Sequence, residues 1–349
     1  MARVLLSTMA VVLVLVRAAT TQHNDPARTF LATSFGMTSS DLAQIDRGLV
    51  VSRTLEVSDK REVATLGVMR VRITPEFYAE RLADIANFKT VEAVLQIGTF
   101  GNPPDLEDVS NLTLEDWDIR SLRACRDGNC GVQLSAEAIG RFRQEVDWQS
   151  ADAQRQANRL MRQILVDYVT GYMKFGPAAS MEYADQSEPV NLWREFVSLA
   201  GSDIGGWRQF PGLRRHLLEY PASHTPKTTD LVYWSKEKVA RRAVVSVTHL
   251  AISRTASESP ADYAIASKHI YGTHYFVASL GLTVLLRDRS ASSPATYLAY
   301  LNRSRVDAFD GVLGGITRKI VISRSRATVS DQLGRMQRTL ERQFAAAQR

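Results

Sequence analysis

The sequence predicts an α+β fold in which an antiparallel sheet is followed by a long C-terminal helix, with a helical subdomain inserted ahead of most of the strands. Three observations support this. Residues 243–302 are rich in Val, Ile, Thr, Tyr and Leu and are divided by turn residues, as consecutive strands are. The region before them has helical periodicity, and an amphipathic pattern covers residues 317–344. Strands and helices segregated in this way are typical of α+β domains.

The first residues have the plan of a secretory signal. Met1–Arg3 carries a positive charge, and Val4–Val16 is an uncharged, mostly apolar run of 13 residues. A helix needs about 20 residues to cross the hydrocarbon core of a bilayer. We therefore expect residues 1–19 to be a signal peptide and the protein to be exported, either periplasmic or secreted. The alternative is a protein anchored by an uncleaved N-terminal segment.

The beginning of the predicted mature chain contains a strand and a helix. Residues 20–60 show no sustained period and are interpreted as an N-terminal extension. Val63–Ile73 alternates apolar and polar side chains, which predicts a strand. Thr74-Pro75-Glu76 then supplies an N-cap hydroxyl, a proline at the first helical position and an acid at the positive helix end. This pattern predicts a helix to about Phe88, and Val91–Phe100 is interpreted as a second extended segment.

The insertion, at about residues 101–230, is predicted to be helical. Thr113 and Ser135 are cap residues ahead of apolar-periodic runs, so a short helix is expected after each. The longest helix is predicted at Ser150–Phe175 and ends at Gly176-Pro177. Shorter helices are predicted at Pro189–Leu199 and Pro211–Glu219.

Four strands and the final helix complete the predicted fold. The charged segments Lys236-Glu237-Lys238 and Arg241-Arg242 are interpreted as a solvated turn before the strands. The strands are predicted at Ala243–Ser253, Tyr263–Tyr271, His274–Leu286 and Ala295–Asn302. The apolar stripe of the helix at Thr317–Phe344 consists of Val329, Leu333, Met336, Leu340 and Phe344.

Three stretches of the chain resemble the START-like helix-grip superfamily. Val68–Phe88 is similar to the first strand and helix of that family. Tyr263–Leu286 and Ala295–Val306 are similar to its long paired strands, and Gly311–Phe344 to its glycine turn and closing helix. The resemblance implies a curved antiparallel sheet packed on the long C-terminal helix, with an apolar cavity between them. It covers one domain, residues 61–349, and departs from the family in the roughly 140 residues that replace a short helical link.

The same resemblance implies a function in binding. A concave apolar volume suits a lipid-like or other hydrophobic small molecule, and non-catalytic binding of such a ligand is the expectation adopted here. The family also contains cyclases and hydrolases, so a cyclase-like enzyme acting on a hydrophobic substrate is an alternative. A structural or interaction protein of the cell envelope is a third. No catalytic residue is assigned.

Candidate ligand-binding residues come from the strands and the final helix. Strand alternation places His269, Tyr271 and Tyr275 on one face, where they can hold a polar head group, unless they are hydrogen-bonded within the sheet. The guanidinium groups of Arg303 and Arg305 suit an anionic head group, or pair with Asp307 or Asp310 instead. The complete candidate set is His269, Tyr271, Tyr275, Tyr297, Arg303, Arg305, Leu333, Met336 and Leu340.

The two cysteines predict a small disulfide loop. Cys125 and Cys130 flank Arg-Asp-Gly-Asn, which contains a strong turn sequence, and export to an oxidising compartment favours their pairing. No second Cys or His pair stands nearby at metal-ligand spacing. The sequence also has no HExxH, Gly-x-Ser-x-Gly or phosphate-binding glycine motif. We therefore expect neither a metal nor a cofactor.

The positive charge is concentrated at the C-terminus. Of the net charge of +6, the last 47 residues account for all of it, with ten Lys and Arg against four Asp and Glu. A basic amphipathic helix suits peripheral contact with an anionic membrane surface, although a solvated cationic face is the simpler alternative. Nucleic-acid binding is not expected, because export and the lack of a recognised module argue against it.

Overall fold

The computed structural model describes residues 25–89, 91–201, 205–223, 225–239, 242–306 and 314–349, with side chains of the last helix described from Val329 onward. The predicted signal peptide at residues 1–19 lies outside the described residues. So do Asp307 and Asp310, which were considered as partners of the strand arginines, and Gly311 of the expected glycine turn.

Eight of the ten strands found among the described residues form one antiparallel sheet, and this sheet does not close into a barrel. In chain order the strands are β1 Val51–Leu55, β2 Glu62–Val71, β3 Val94–Thr99, β4 Glu182–Tyr183, β5 Val190–Asn191, β6 Thr228–Val239, β7 Arg242–Arg254, β8 Tyr263–Gly272, β9 Phe276–Arg287 and β10 Thr296–Val306. Their order across the sheet is β1-β2-β10-β9-β8-β7-β6-β3, and β4 pairs with β5 separately. Strands β6 to β10 are therefore a meander, to which the earlier strands add at both edges.

Ten α-helices accompany the sheet in the described part of the chain. They are α1 Pro26–Phe35, α2 Ser39–Asp46, α3 Pro75–Ala83, α4 Ile85–Phe88, α5 Asp116–Ala124, α6 Ala136–Glu145, α7 Ala153–Phe175, α8 Leu192–Gly201, α9 Pro211–Glu219 and α10 Gly314–Ala347. The predicted α+β class, with a large antiparallel sheet and a long C-terminal helix, is confirmed. The strong periodicity of the middle segment and of the four predicted strands explains why their positions agree with the structure.

The structure corrects the prediction of a turn at Lys236-Glu237-Lys238. These residues belong to β6, and Lys236 is buried, with its Nζ 2.5 Å from Oε1 of Glu115. Glu237 pairs with Lys89, which precedes β3. The charges of Lys236 and Glu237 are therefore neutralised by Glu115 and Lys89, which lie more than a hundred residues away in the chain, while Lys238 is exposed as the sequence suggested.

The N-terminal extension is more regular than its sequence suggested. It contains α1, α2 and the edge strand β1. Both helices are short and depend on their caps: the side chain of Asp25 accepts from the backbone N–H of Ala27, and Thr38 forms a capping box with Asp41. Phe30 of α1 is buried against the sheet. Tertiary packing therefore stabilises helices that are too short to show a clear period.

The large sheet is covered on both faces, which we call the helical face and the cavity face. Helices α1, α2 and α5–α9 pack on the helical face, and α3, α4 and α10 pack on the cavity face. Strand alternation separates the two: Trp234 of β6 points into the helical layer, and its neighbour Tyr233 points to the cavity face. The inserted helices share one hydrophobic core with the sheet through residues such as Val245 and Val247.

Helix α10 lies close to the sheet at Gly67 of β2. A Cβ at this position would overlap the side chain of Leu333 and would lie 2.9 Å from Cγ1 of Val329. The glycine therefore allows the apolar stripe of α10 to rest on the backbone of β2, and the stripe predicted for this helix does face the sheet.

Two buried arginines of β10, Arg303 and Arg305, bind polar groups on the helical face of the sheet. The side chain of Arg303 has no exposed surface, and its Nη2 lies 2.7 Å from Oε1 of Glu62, while Nη1 donates to the carbonyl of Leu199 at 2.7 Å. Arg305 lies 2.8 Å from Oε2 of Glu195 in α8. A buried ion pair is costly to break because the remaining charge stays in a poorly solvated place.

We expect Arg303→Met to lower the free energy of unfolding by roughly 3 kcal/mol, because it leaves the carboxylate of Glu62 buried without its cation. The double variant Arg303→Met, Glu62→Leu should lose less than the sum of the two single variants. Urea denaturation measures both quantities. Arg141→Met removes an exposed pair with Glu145 and serves as the control, with an expected loss below about 1 kcal/mol. Additive losses at positions 303 and 62 would contradict a coupled pair.

Candidate functional site

A cavity of about 1050 Å³ lies between the cavity face of the sheet and the helices α3, α4 and α10. This volume is in the range that accommodates a ligand of drug size or larger. Its apolar lining comes from all four elements: Tyr78 and Leu82 of α3, Ile85 and Phe88 of α4, Leu250 and Ile265 of the sheet, and Val329, Leu333, Met336 and Leu340 of α10.

Local periodicity explains which side chains reach the cavity. Leu333, Met336 and Leu340 are three and four residues apart, so they lie on one side of α10. In the sheet, every second residue of a strand points to the cavity face.

Small residues on the sheet prevent the cavity from being filled. Ser267 of β8 and Gly281 of β9 are cross-strand partners on the cavity face. A Cβ at Gly281 would overlap Oγ of Ser267, so the two positions have room for only one small side chain. Thr283 is the next cavity-facing residue of β9. Large apolar residues at these places would close the volume, as they do on the helical face.

Hydroxyl groups provide polar positions on the floor of the cavity. The hydroxyl of Tyr78 donates to Sδ of Met336 at 4.0 Å, and Tyr300 accepts a hydrogen bond from Nδ2 of Asn302 at 3.4 Å. Burial raises the pKa of both tyrosines, so their hydroxyls remain neutral over the physiological range. They can therefore donate or accept a hydrogen bond without a charge change.

One end of the cavity contains an ion pair. Nζ of Lys89 lies 2.5 Å from Oε1 of Glu237, and the hydroxyl of Ser235 donates to the same oxygen at 2.5 Å. Burial alone would lower the pKa of Lys89, but its interactions with Tyr233 and Glu237 outweigh burial and raise it. Burial would likewise raise the pKa of Glu237, and Lys89 reverses the shift. Both groups therefore remain ionised near neutral pH.

The mouth of the cavity is basic. Arg335, Arg338 and Arg342 are exposed residues of α10 that line it, and Arg72 on the opposite side pairs with Glu341 at 2.8 Å. In the described part of the chain, no carboxylate lies within ion-pair distance of Arg335 or Arg338. These two guanidinium groups are exposed to solvent where α10 borders the cavity.

The nine predicted site residues do not form one site. Leu333, Met336 and Leu340 line the cavity. Tyr297 lies on the helical face, where its hydroxyl donates to Oδ1 of Asp46 at 2.8 Å. Arg303 and Arg305 also lie on the helical face, in the ion pairs described above. They are on that side because β10 alternates and Tyr300, three residues before Arg303, faces the cavity.

A bulge separates the predicted cluster of His269, Tyr271 and Tyr275. Thr248 of β7 pairs with His269 and the preceding Val247 pairs with Tyr271, so Ile270 is an extra residue in β8. The alternation therefore breaks at this point. The hydroxyl of Tyr271 donates to the carbonyl of Gln133 at 3.2 Å, within the helical layer.

The other two members of that predicted cluster also have structural surroundings. The ring of His269 lies 6.1 Å from that of Phe276, and burial lowers its pKa to about 4. Tyr275 has a positive φ of 69° in the turn between β8 and β9. Neither residue lines the cavity.

Sequence reasoning missed the cavity residues outside α10. Apart from Arg72, these residues come from α3, α4, the loop after α4 and the five strands β6 to β10, and they share no motif. The available signal was the presence of Ser267 and Gly281 inside strands that are rich in larger apolar residues, since small residues in a strand often mark a place where something else packs.

The disulfide and a possible metal-ligand group lie away from the cavity. Cys125 and Cys130 form the expected pair, with their Cα atoms 4.4 Å apart. Among the described residues, His216, Asp230 and His249 are the one group of three ligand-type side chains close enough to hold a metal ion, and they are on the helical face.

Comparison with known proteins adds no family to this description. Neither a scan against protein-family models nor a search of curated proteins matches the sequence. In the part of the chain that the structure describes, no helix is both long enough and apolar enough to cross a bilayer. The cavity and its lining are therefore the main features of the molecule that bear on its function.

Lys268, on the helical face, is a buried cation without a carboxylate partner among the described residues. Its Nζ donates to the carbonyl of Leu217 at 3.3 Å and lies 4.7 Å from the ring centres of both Trp193 and Phe196. Burial lowers its pKa to about 7. The unfolded chain holds this proton up to a pKa of about 10.4, so the folded state is destabilised most below pH 7.

We expect Lys268→Met to be more stable than the wild type at pH 7, by about 3 kcal/mol after allowing for the lost hydrogen bond. The difference should shrink as pH rises from 7 to 10, because the wild-type lysine is then neutral in the folded state and becomes neutral in the unfolded state too. Urea denaturation at pH 7, 8.5 and 10 provides the test. The exposed Lys174→Met is the control and should show no such trend. A stability difference between Lys268→Met and the wild type that stays constant with pH would contradict a lowered pKa for Lys268.

Proposed function

We propose that this protein binds a lipid-like or other hydrophobic small molecule, without transforming it, in the cavity between the sheet and α10. The observation that carries the proposal is the volume of about 1050 Å³ with apolar side chains on α3, α4, the sheet and α10. The resemblance to the START-like helix-grip superfamily supports the same reading, because that family places its ligand between a sheet and a closing helix. Membership of the superfamily remains a prediction.

The hydrophobic effect provides the driving force for such binding. Each 100 Å² of apolar ligand surface removed from water contributes roughly 2.5 kcal/mol. Leu333, Met336 and Leu340 on α10 face Leu250 and Ile265 across the cavity, so a ligand between them would contact apolar atoms on both sides.

The polar groups of the cavity favour an amphipathic ligand with an uncharged polar group. The hydroxyls of Tyr78, Thr283 and Tyr300 can hydrogen-bond a hydroxyl or carbonyl oxygen. Lys89 and Glu237 neutralise each other, so neither is left to require an opposite charge on the ligand. Their pairing also favours binding over catalysis, because neither group has a pKa near neutral pH, where a general acid or base is most effective.

We expect protein purified without detergent to release a hydrophobic molecule on solvent extraction, and native mass spectrometry to show the same mass on the folded chain. Met336→Trp should reduce both the bound molecule and the affinity for a fluorescent fatty acid by about tenfold or more, because the indole occupies ligand volume. Val197→Trp, at an exposed position of α8, is the matched control and should bind as the wild type does. Equal binding by Met336→Trp and the wild type, or an empty cavity that takes up no lipid, would contradict the proposal.

We further propose that the protein is exported and presents its ligand at an anionic membrane surface. The paired Cys125 and Cys130 suit an oxidising compartment. Arg335 and Arg338 support the membrane contact, since they are exposed beside the mouth through which a ligand would pass.

We expect the protein to co-sediment with vesicles that contain phosphatidylglycerol and not with purely zwitterionic vesicles. Arg335→Glu, Arg338→Glu should weaken this binding by about tenfold or more, because each basic residue near such a surface contributes about 1 kcal/mol. Arg143→Glu, Arg159→Glu reverses the same number of charges on exposed helical positions far from α10 and should bind as the wild type does. Equal losses in the two double variants would indicate a general charge effect and contradict a specific membrane face.

A further inference from the structure

We propose that the helical face contains a binding site for a divalent transition-metal ion, formed by His216, Asp230 and His249. The site is independent of the cavity, since its three residues lie on the opposite face of the sheet from α10. Nε2 of His216 lies 2.7 Å from Oδ1 of Asp230, and Nε2 of His249 lies 2.9 Å from the same oxygen. All three ligand atoms are within 4.8 Å of one another.

The sheet register and one helix bring these residues together. His249 of β7 pairs with Val232 of β6, and Asp230 is two residues before Val232, so the carboxylate and the imidazole are diagonal neighbours on one face. His216 is in the last turn of α9, which packs on β7 and β8. The ligands are therefore contributed by three rigid elements and are held in place before any ion binds.

A hydroxyl group outside the three ligands supports a metal-bound state. Tyr172 places its hydroxyl 2.8 Å from Nδ1 of His249. Without a metal, Nε2–H of His249 donates to Asp230 and Nδ1 accepts from the tyrosine. With a metal on Nε2, the proton moves to Nδ1 and donates to the tyrosine oxygen. A hydroxyl can take either role, so the second nitrogen of this histidine has a partner in both states.

The two imidazoles of the site are shielded from solvent, whereas the carboxylate is partly exposed. His216 and His249 are almost completely buried, and the ring of Tyr220 lies 4.4 Å from that of His249. The side chain of Asp230 is 20% exposed, which leaves the carboxylate as the contact with solvent.

The donor set selects the class of ion. Two imidazole nitrogens with one carboxylate oxygen are the ligands of zinc and of related ions such as cobalt, with a further position left for water. Calcium and magnesium prefer oxygen ligands and do not suit this set. One neighbouring charge is unfavourable for metal binding. Lys268 is the cross-strand partner of His249, and the ammonium group of this lysine repels a metal ion. Its removal should therefore strengthen binding.

The three residues could not be recognised as a site from sequence spacing. Asp230 is 14 residues after His216 and 19 before His249, and the three lie on a helix and two strands. Spacing along the chain does not reveal such an arrangement, because the strand register and the docking of α9 on the sheet make the three residues neighbours.

The experiment uses the full mature chain, freed of metal with a chelator. We expect calorimetric titration with Zn²⁺ to give one ion per chain, and Co²⁺ to give the visible absorption of a site with nitrogen ligands. His216→Gln and His249→Gln should each weaken Zn²⁺ binding by at least the roughly 10- to 100-fold that loss of a hydrogen-bond partner behind a ligand costs, because each variant removes a direct ligand. Lys268→Met should tighten it, and Ca²⁺ should not bind.

The controls keep the result interpretable. His274→Gln removes a histidine that is paired with Asp118 elsewhere on the helical face, and it should bind Zn²⁺ as the wild type does. Circular dichroism establishes that each variant is folded, and the Co²⁺ spectrum of the wild type decides the case if a variant does not fold. Folded wild-type protein that takes up no Zn²⁺, or a folded His216→Gln that binds as tightly as the wild type, would overturn the proposal. Lipid extraction from His216→Gln should be unchanged, so failure here is distinguishable from failure of the cavity proposal.

Discussion

The packing of both faces of the central strands is the constraint on which the rest of the structure depends. Strands β7 to β10 have nearly continuous burial, because helices cover one face and α3, α4 and α10 cover the other. Apolar residues are therefore required at successive positions and not only at alternate ones. The two faces are filled differently, however. Trp207 and Tyr297 fill the helical face, whereas Ser267 and Gly281 leave space on the cavity face.

This asymmetry separates stability from binding. On the helical face, buried polar groups such as Arg303 and Glu62 have specific partners. Removal of one partner is strongly destabilising, because it leaves the other charge buried without compensation. On the cavity face, the polar groups are mainly hydroxyls, which tolerate different partners. Gly67 lets α10 rest on β2, so the helix closes the cavity while its arginines remain at the surface. One amphipathic helix thus connects the apolar volume with a basic exterior.

The candidate site illustrates how far local pattern extends. The stripe of α10 could be predicted, because helical spacing alone places Leu333 and Leu340 on one side. The surroundings of Tyr271 could not, because they depend on a bulge that adds one residue to β8 and ends the alternation. Arg303 was recognised as a residue suited to an anion. Its anion is Glu62, which becomes its neighbour only when β10 pairs with β2.

The sequence by itself determined the α+β class, the positions of β7 to β10, the long final helix and the pairing of Cys125 with Cys130. These features follow from periodicity, caps and short loops, which act between residues close in the chain. Only the tertiary structure decided that Lys236 lies in a strand, that a cavity remains beneath α10, and that His216 and His249 converge on Asp230. The reason is that strand order, register and helix docking bring together residues that are far apart in the sequence. A local pattern therefore does not indicate which partner a buried group contacts.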